Sequence, residues 1–173
     1  MTRAVLSIGS NMGDRLARLN AVVDELGPAV RAVSPVYETD AWGGVDQNDF
    51  LNAIVIAEVD DVDAHGWLRR GQALENANGR VRSQKWGPRT LDVDIVCCFD
   101  GDREIRCSDD QLTLPHPYAH ERGFVLVPWL AIDPGAMLTV DGSPRPVREL
   151  IGDLDASERD GVRSTELVLA VGS

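Results

Sequence analysis

Apolar positions along the chain change period several times, and each change marks an element. Residues 4–8 form a short apolar run closed by Gly9-Ser10-Asn11, which predicts a strand followed by a chain reversal. Leu16, Leu19, Val23 and Leu26 then recur at helical spacing behind Asp14, a capping residue, and Gly27-Pro28 ends that helix. A second strand is expected over 30–38 and a long third over 50–59, with Leu51, Ala53, Val55 and Ala57 on one face and Phe50, Asn52, Ile54 and Ile56 on the other. Ala64, Trp67, Leu68, Gly71 and Leu74 stripe a helix over 63–78, ended by Gly79. Leu91, Val93 and Ile95 alternate with Asp92 and Asp94 in a fourth strand.

The remainder is shorter in its elements. Asp100-Gly101 signals a tight turn with 103–107 returning as a hairpin partner, and Pro128 is expected to divide 124–131 into two short helices. Residues 137–140, the Asp141-Gly142 turn and a helix over 147–151 follow, and the apolar end of the tail, 167–171, can dock as a strand. The order strand, helix, strand, strand, helix, strand is the split βαβ arrangement. The expected fold is therefore α+β: a ferredoxin-like βαββαβ core, a mainly antiparallel sheet with helices on one face, plus a C-terminal hairpin and short helices. Residues 1–152 are expected to form the domain and 153–173 a tail, partly docked or flexible.

Composition narrows the function. An apolar content of 43% over 173 residues suits one globular domain with a sizeable core. No apolar run approaches a membrane span and the N-terminus lacks the long apolar core of a signal peptide, so no membrane association and a cytoplasmic location are expected. Cys97, Cys98 and Cys107 are an odd set read as reduced thiols. The net charge of −11 argues against a nucleic-acid partner. It is unevenly distributed: residues 69–89 carry six basic side chains against Glu75 alone, a net +5 that leaves −16 on the rest. A compact basic island in an acidic chain suits a small polyanion such as a nucleoside triphosphate.

The candidate chemistry lies in 85–96. Asp92 and Asp94 share one face of their strand, their Cα atoms roughly 6.6 to 7 Å apart, so the carboxylates can converge on a cation or bracket a pair of Mg²⁺ ions. Gly87-Pro88 places Lys85, Trp86 and Arg89 on a turn leading into that strand, and Arg80 and Arg82 point the same way if their segment is extended. Metal on some oxygens and cationic side chains on the others is what a polyphosphate needs. Asn52, a polar amide among apolar neighbours, either pairs with local backbone or reads the edge of a flat heterocycle stacked on Phe50. His116, fixed between Pro115 and Pro117, either is placed to meet a ligand or belongs to a capped surface turn. The glycine-rich stretch 39–49 has the composition of a loop that covers a site.

The run Trp86-Gly87-Pro88-Arg89-Thr90-Leu91-Asp92-Val93-Asp94-Ile95, with Phe50-Leu51-Asn52 before it and Leu114-Pro115-His116-Pro117 through Arg122-Gly123-Phe124 after it, resembles the 6-hydroxymethyl-7,8-dihydropterin pyrophosphokinases of folate biosynthesis. The resemblance covers residue 4 to about 151 and makes 1–152 a pterin pyrophosphokinase domain. It implies Mg-dependent transfer of the β,γ-diphosphate of ATP to the pterin hydroxymethyl oxygen, with AMP leaving. By the same resemblance Asp92 and Asp94 hold two Mg²⁺ ions, and Arg80 and Arg89 act on the transferring group. Thr39, Trp42, Phe50, Asn52, Trp86 and Phe124 bind the pterin. Gln72, Glu75, Arg82, Trp86, Arg89, Ile95, Thr113, His116 and Arg122 bind ATP. The expected partners are these two small molecules, with the protein a monomer. Two other readings are a metal-dependent phosphodiesterase or nuclease and a non-catalytic nucleotide sensor of ferredoxin-like fold. Neither needs the flat-ring set Phe50, Asn52 and Phe124.

Overall fold

The computed structural model describes residues 1–40, 48–79 and 90–171. Its spine is β1 (Thr2–Ser10), which pairs antiparallel with β4 (Phe50–Val59) on one side and β5 (Asp92–Asp100) on the other. The outer edge of β4 carries β2 (Val30–Val33) and β3 (Tyr37–Thr39), and the far end of β5 carries β6 (Arg103–Glu104). β1 runs two residues further than the apolar pattern suggested, through Gly9 and Ser10, because both keep their partners on β4.

The expected strand over 30–38 is instead two strands on the same edge of β4. Ser34 interrupts the ladder: its amide donates to the Ile54 carbonyl while its Oγ accepts from the Ile54 amide, so a side chain replaces one backbone acceptor ahead of Pro35, which has no N–H to offer.

α1 (Arg15–Leu26) and α2 (Ala64–Ala77) lie on one face of the sheet, as the core pattern required. Asp14 caps α1 by accepting from the Ala17 amide at 3.1 Å, and Asp63 caps α2 through the Gly66 amide at 2.7 Å. Each cap contributes about 1 kcal/mol. Leu19, Val22 and Val23 from α1 and Trp67 and Leu74 from α2 bury against Leu6, Ile8, Val55, Val93 and Ile95. The Trp67 indole N–H donates to Thr2 Oγ1 at 2.8 Å, which lets the ring be almost fully buried with its polar atom satisfied. Gly71 brings α2 down on β5: a Cβ there would meet Val93 Cγ1 at 3.3 Å.

The opposite face is covered by the short C-terminal helices. α3 (Gly123–Ile132) and α4 (Val147–Asp153) pack Val125, Leu126, Trp129, Val147 and Leu150 onto Val5, Ile54, Ile56, Val96 and Cys97. α3 is one helix, not two. Pro128 lies within it, and the helix accepts the loss of that one amide donor because its apolar residues are held on both sides of the proline.

The expected 103–107 hairpin partner also divides. Beyond β6, β7 (Cys107–Ser108) pairs with β8 (Thr113–Leu114), and β9 (Met137–Val140) with β10 (Ser143–Pro146). The tail adds α5 (Ala156–Asp160) and β11 (Arg163–Ser164), and β11 pairs with β3. The docked strand is thus 163–164 rather than 167–171, where Leu169 is buried in the α1 side of the core.

Candidate active site

Strand register assembles the site. Asn52 on β4, Gly9 on β1 and Asp92 on β5 lie side by side across three strands, and one step along are Ile54, Ser7 and Asp94. Ile54 belongs to the cluster under α3, so all six residues face that side of the sheet. Asp92 and Asp94 are half-buried there, as strand alternation expected.

A bulge makes this geometry possible. Leu6 pairs with Ile95 and Val5 with Cys97, leaving Val96 as an extra residue on β5. Val96 and Cys97 both turn toward α3, whereas Val93 and Ile95 before the bulge and Cys98 after it turn toward α1 and α2. The carbonyl of Val96 accepts from the His116 amide at 2.8 Å, so the same irregularity anchors the histidine segment to the carboxylate strand.

His116 is held neutral. Burial pushes its imidazole down to about 4, with the positive charge of Arg122 acting in the same direction. Its Nδ1 accepts from the Tyr118 amide at 3.2 Å, which leaves the hydrogen of the neutral ring on Nε2, available to donate to an anionic oxygen. Arg122 precedes α3, its guanidinium 3.8 Å from Asp94 and over the rings of Tyr118 and Phe124, at 5.8 and 5.5 Å. One arginine therefore joins an acidic strand to an aromatic edge.

Asn52 is almost fully buried and donates through Nδ2 to Thr39 Oγ1 at 2.7 Å. That bond fixes the amide plane. Gly9 makes room for it: a Cβ at position 9 would stand 2.8 Å from Asn52 Oδ1 and 3.5 Å from the Phe50 ring. Gly9 is the residue that the pattern of the sequence missed, because its turn-like surroundings suggested chain reversal. Its signal was a glycine continuing a strand, where close approach of another group is the usual reason.

The family model for 7,8-dihydro-6-hydroxymethylpterin-pyrophosphokinase (HPPK) matches residues 5–134. The chain belongs to that family. Proteins named 2-amino-4-hydroxy-6-hydroxymethyldihydropteridine pyrophosphokinase from Mycobacterium tuberculosis and Mycobacterium leprae are both 55% identical to it, over 94% and 98% of this chain and 89% and 92% of theirs. One from Methylorubrum extorquens is 42% identical over 91% of this chain and 96% of its own. In fold, the crystal structure of Plasmodium falciparum HPPK-DHPS with pteroate matches with a TM-score of 0.61 at 14% identity, over 88% of this chain. This chain spans 42% of that protein's length.

Among the residues that the HPPK resemblance implicates, the structure brings Asn52, Thr39, Asp92, Asp94, Arg122 and His116 into one connected surface, with Phe50 and Phe124 at its margins. Other positions are differently engaged. Glu75 is almost fully buried and one carboxylate oxygen accepts from the Val93 amide at 3.1 Å, so it secures the open edge of β5. The Ile95 side chain is buried on the opposite face from the carboxylates. Gln72 lies exposed on α2 and Thr113 exposed on β8. Trp42, Arg80, Arg82, Lys85, Trp86 and Arg89 lie outside the described residues.

Proposed function

We infer that this chain transfers the β,γ-diphosphate of ATP to the hydroxymethyl oxygen of 6-hydroxymethyl-7,8-dihydropterin in folate biosynthesis. A bond forms between that oxygen and the β-phosphorus, the bond from the β-phosphorus to the oxygen shared with the α-phosphate breaks, and AMP leaves. Family membership supports the activity. The observation that carries it onto these residues is the register row Asn52–Gly9–Asp92, which sets a fixed amide and a carboxylate two strands apart across a glycine. Two strand spacings are roughly 10 Å, a span suited to a flat bicyclic ring that must present its substituent at the acidic strand.

In this reading Asn52, held by Thr39, reads the hydrogen-bonding edge of the pterin, while Phe50 and Phe124 supply ring faces, joined by Trp42 and Trp86. Asp92 and Asp94 offer hard, anionic oxygen donors on one face, a donor set that fits Mg²⁺. They would hold two ions, which when bound supply charge neutralisation on the triphosphate and acidify the acceptor hydroxyl. Arg122 is poised to exchange its contact with Asp94 for phosphate, and neutral His116 donates from Nε2. Gln72, Glu75, Arg82, Ile95 and Thr113 complete the nucleotide side, and Arg80 and Arg89 act on the transferring group. In this reading the protein works as a monomer.

Phosphoryl chemistry asks chiefly for alignment and neutralised charge. The two aspartates therefore serve as ligands and not as an acid–base pair. A mass-spectrometric assay with ATP, Mg²⁺ and the hydroxymethyl pterin tests the reading. AMP and a diphosphorylated pterin in equal amounts are expected; AMP or ADP released equally well without pterin would replace transfer with hydrolysis.

A further inference from the structure

His65, Cys107 and Asp109 converge outside the carboxylate row, with one imidazole nitrogen, one sulfur and one carboxylate oxygen all within 4.8 Å of one another. His65 is the second residue of α2, whose start is fixed by the Asp63 cap. Cys107 lies in β7 and Asp109 in the bend just beyond it, its Oδ2 3.5 Å from the Cys107 sulfur. We propose that this trio is a binding site for a thiophilic divalent cation of the zinc type.

The donor set decides the class of ion. Thiolate, imidazole and carboxylate together suit a borderline-soft metal such as Zn²⁺ and suit Mg²⁺ poorly. The spacing is close to what that ion needs. Metal bonds of about 2.3 Å to sulfur and 2.0 Å to oxygen place tetrahedral neighbours about 3.5 Å apart, and Cys107 Sγ stands 3.5 Å from Asp109 Oδ2. His65 Nε2 and the same oxygen are 2.7 Å apart, a hydrogen bond that must open to about 3.3 Å when both bind a metal.

Asp109 is already oriented for the task. Its Oδ1 accepts from the amides of Gln111 and Leu112, each at 2.8 Å, which leaves Oδ2 directed at His65 and Cys107. His65 and Cys107 both line an open cleft of about 870 Å³ that also borders Met1, Thr2 and Asp100, which gives an ion a route in and leaves a fourth coordination position for water. Cys107 pairs with Leu114, two residues before His116, so the trio borders the histidine segment, while Thr2 in its cleft lies seven residues along β1 from Gly9.

On binding, the Cys107 thiol gives its proton to solvent and the His65 ring coordinates through Nε2, its hydrogen on Nδ1. The ion then carries two anionic ligands and one neutral ligand, so the occupied site is neutral where the empty one holds the single negative charge of Asp109, beside Arg69 and Arg106 of the same cleft. Structurally it ties the first turn of α2 to the β7–β8 hairpin, the segment that continues into His116.

The test uses the full chain, stripped with a chelator and titrated with Co²⁺ and Zn²⁺ alone. One equivalent of Co²⁺ is expected to give a thiolate-to-metal charge-transfer band in the near ultraviolet. That band should be absent in Cys107→Ser and at least tenfold harder to saturate in His65→Gln. It should persist in the Asp92→Asn, Asp94→Asn double variant. Zn²⁺ should raise the unfolding midpoint of the wild-type chain by several degrees and that of Cys107→Ser by less, with Mg-supported turnover of Cys107→Ser unchanged. Absence of the band, or a band that survives Cys107→Ser, overturns the site.

Discussion

Arg163 and Asp49 lie far apart in sequence, yet the guanidinium of the first is 3.1 Å from the carboxylate of the second. The same guanidinium reaches Asp40 at 3.0 Å and Glu38 at 3.7 Å. Arg15 adds a bond to the Asp49 carbonyl at 2.8 Å, and Asn11 one to the Asn48 carbonyl at 3.1 Å. β11 thus gathers Asp40 and Asp49, which follow Thr39 and precede Phe50, two residues assigned to the pterin. An exposed pair contributes little alone, but one arginine shared by three carboxylates forms a network. Arg163→Ala is expected to raise the pterin KM by about fivefold, with kcat within about twofold. Steady-state kinetics showing equal losses in both parameters would assign Arg163 a different role.

Asp94→Ala should reduce turnover by roughly three orders of magnitude or more, the scale expected when charge neutralisation worth several kcal/mol is lost at the transferring group. Nucleotide affinity should also lose its dependence on Mg²⁺. Near-normal turnover, read by AMP release, would remove the carboxylate pair from the mechanism.

Gly9→Ala separates the pterin half of the site from the nucleotide half. The added methyl drives into Asn52 Oδ1, and a misplaced recognition amide should weaken pterin binding by roughly tenfold to a hundredfold. Affinity for ATP should stay within about twofold. Calorimetry with each ligand in turn distinguishes this from general misfolding, which would degrade both.

His116 gives a pH signature. Its imidazole titrates at about 4 in the folded protein against about 6.5 when unfolded. The unfolded chain therefore binds more protons between these values, and stability falls as pH drops through 6.5 toward 4. His116→Gln should lose less stability between pH 7 and pH 4.5 than the wild type in paired urea titrations. An NMR titration placing the His116 midpoint near 6.5 would contradict its neutral state.

Arg89→Ala should slow the chemical step far more than it weakens the pterin, a distinction that single-turnover kinetics make directly. A variant that binds pterin poorly but reacts at the normal rate once saturated would exclude a role on the transferring group.

Much of this arrangement was legible because local pattern and function coincide. Asp92 and Asp94 declare their shared face through alternation with Val93 and Ile95, and Asp14, Gly27, Asp63 and Gly79 mark helix ends by their own backbone chemistry. What stayed hidden depends on contacts between distant segments. Ser34 breaks a strand because of Ile54, Pro128 is tolerated because α3 is packed along its length, and Gly9 matters because Asn52 needs the space above it. Nothing near Arg163 in the chain announces that it will meet Asp40 and Asp49. The paired residue Cys97 could not reveal the extra Val96 beside it, since two consecutive apolar residues read equally well as an ordinary buried strand.

That unpaired valine sets the phase of everything upstream of it. Remove it, and with the far end of β5 kept in place each earlier side chain exchanges sides: Val93 and Ile95 would be thrust toward the ligand and both aspartates driven beneath α2. A single-codon deletion at position 96 would thus cost the protein its acidic centre and its core at once, although it touches neither carboxylate, and an insertion between 95 and 97 would do the same.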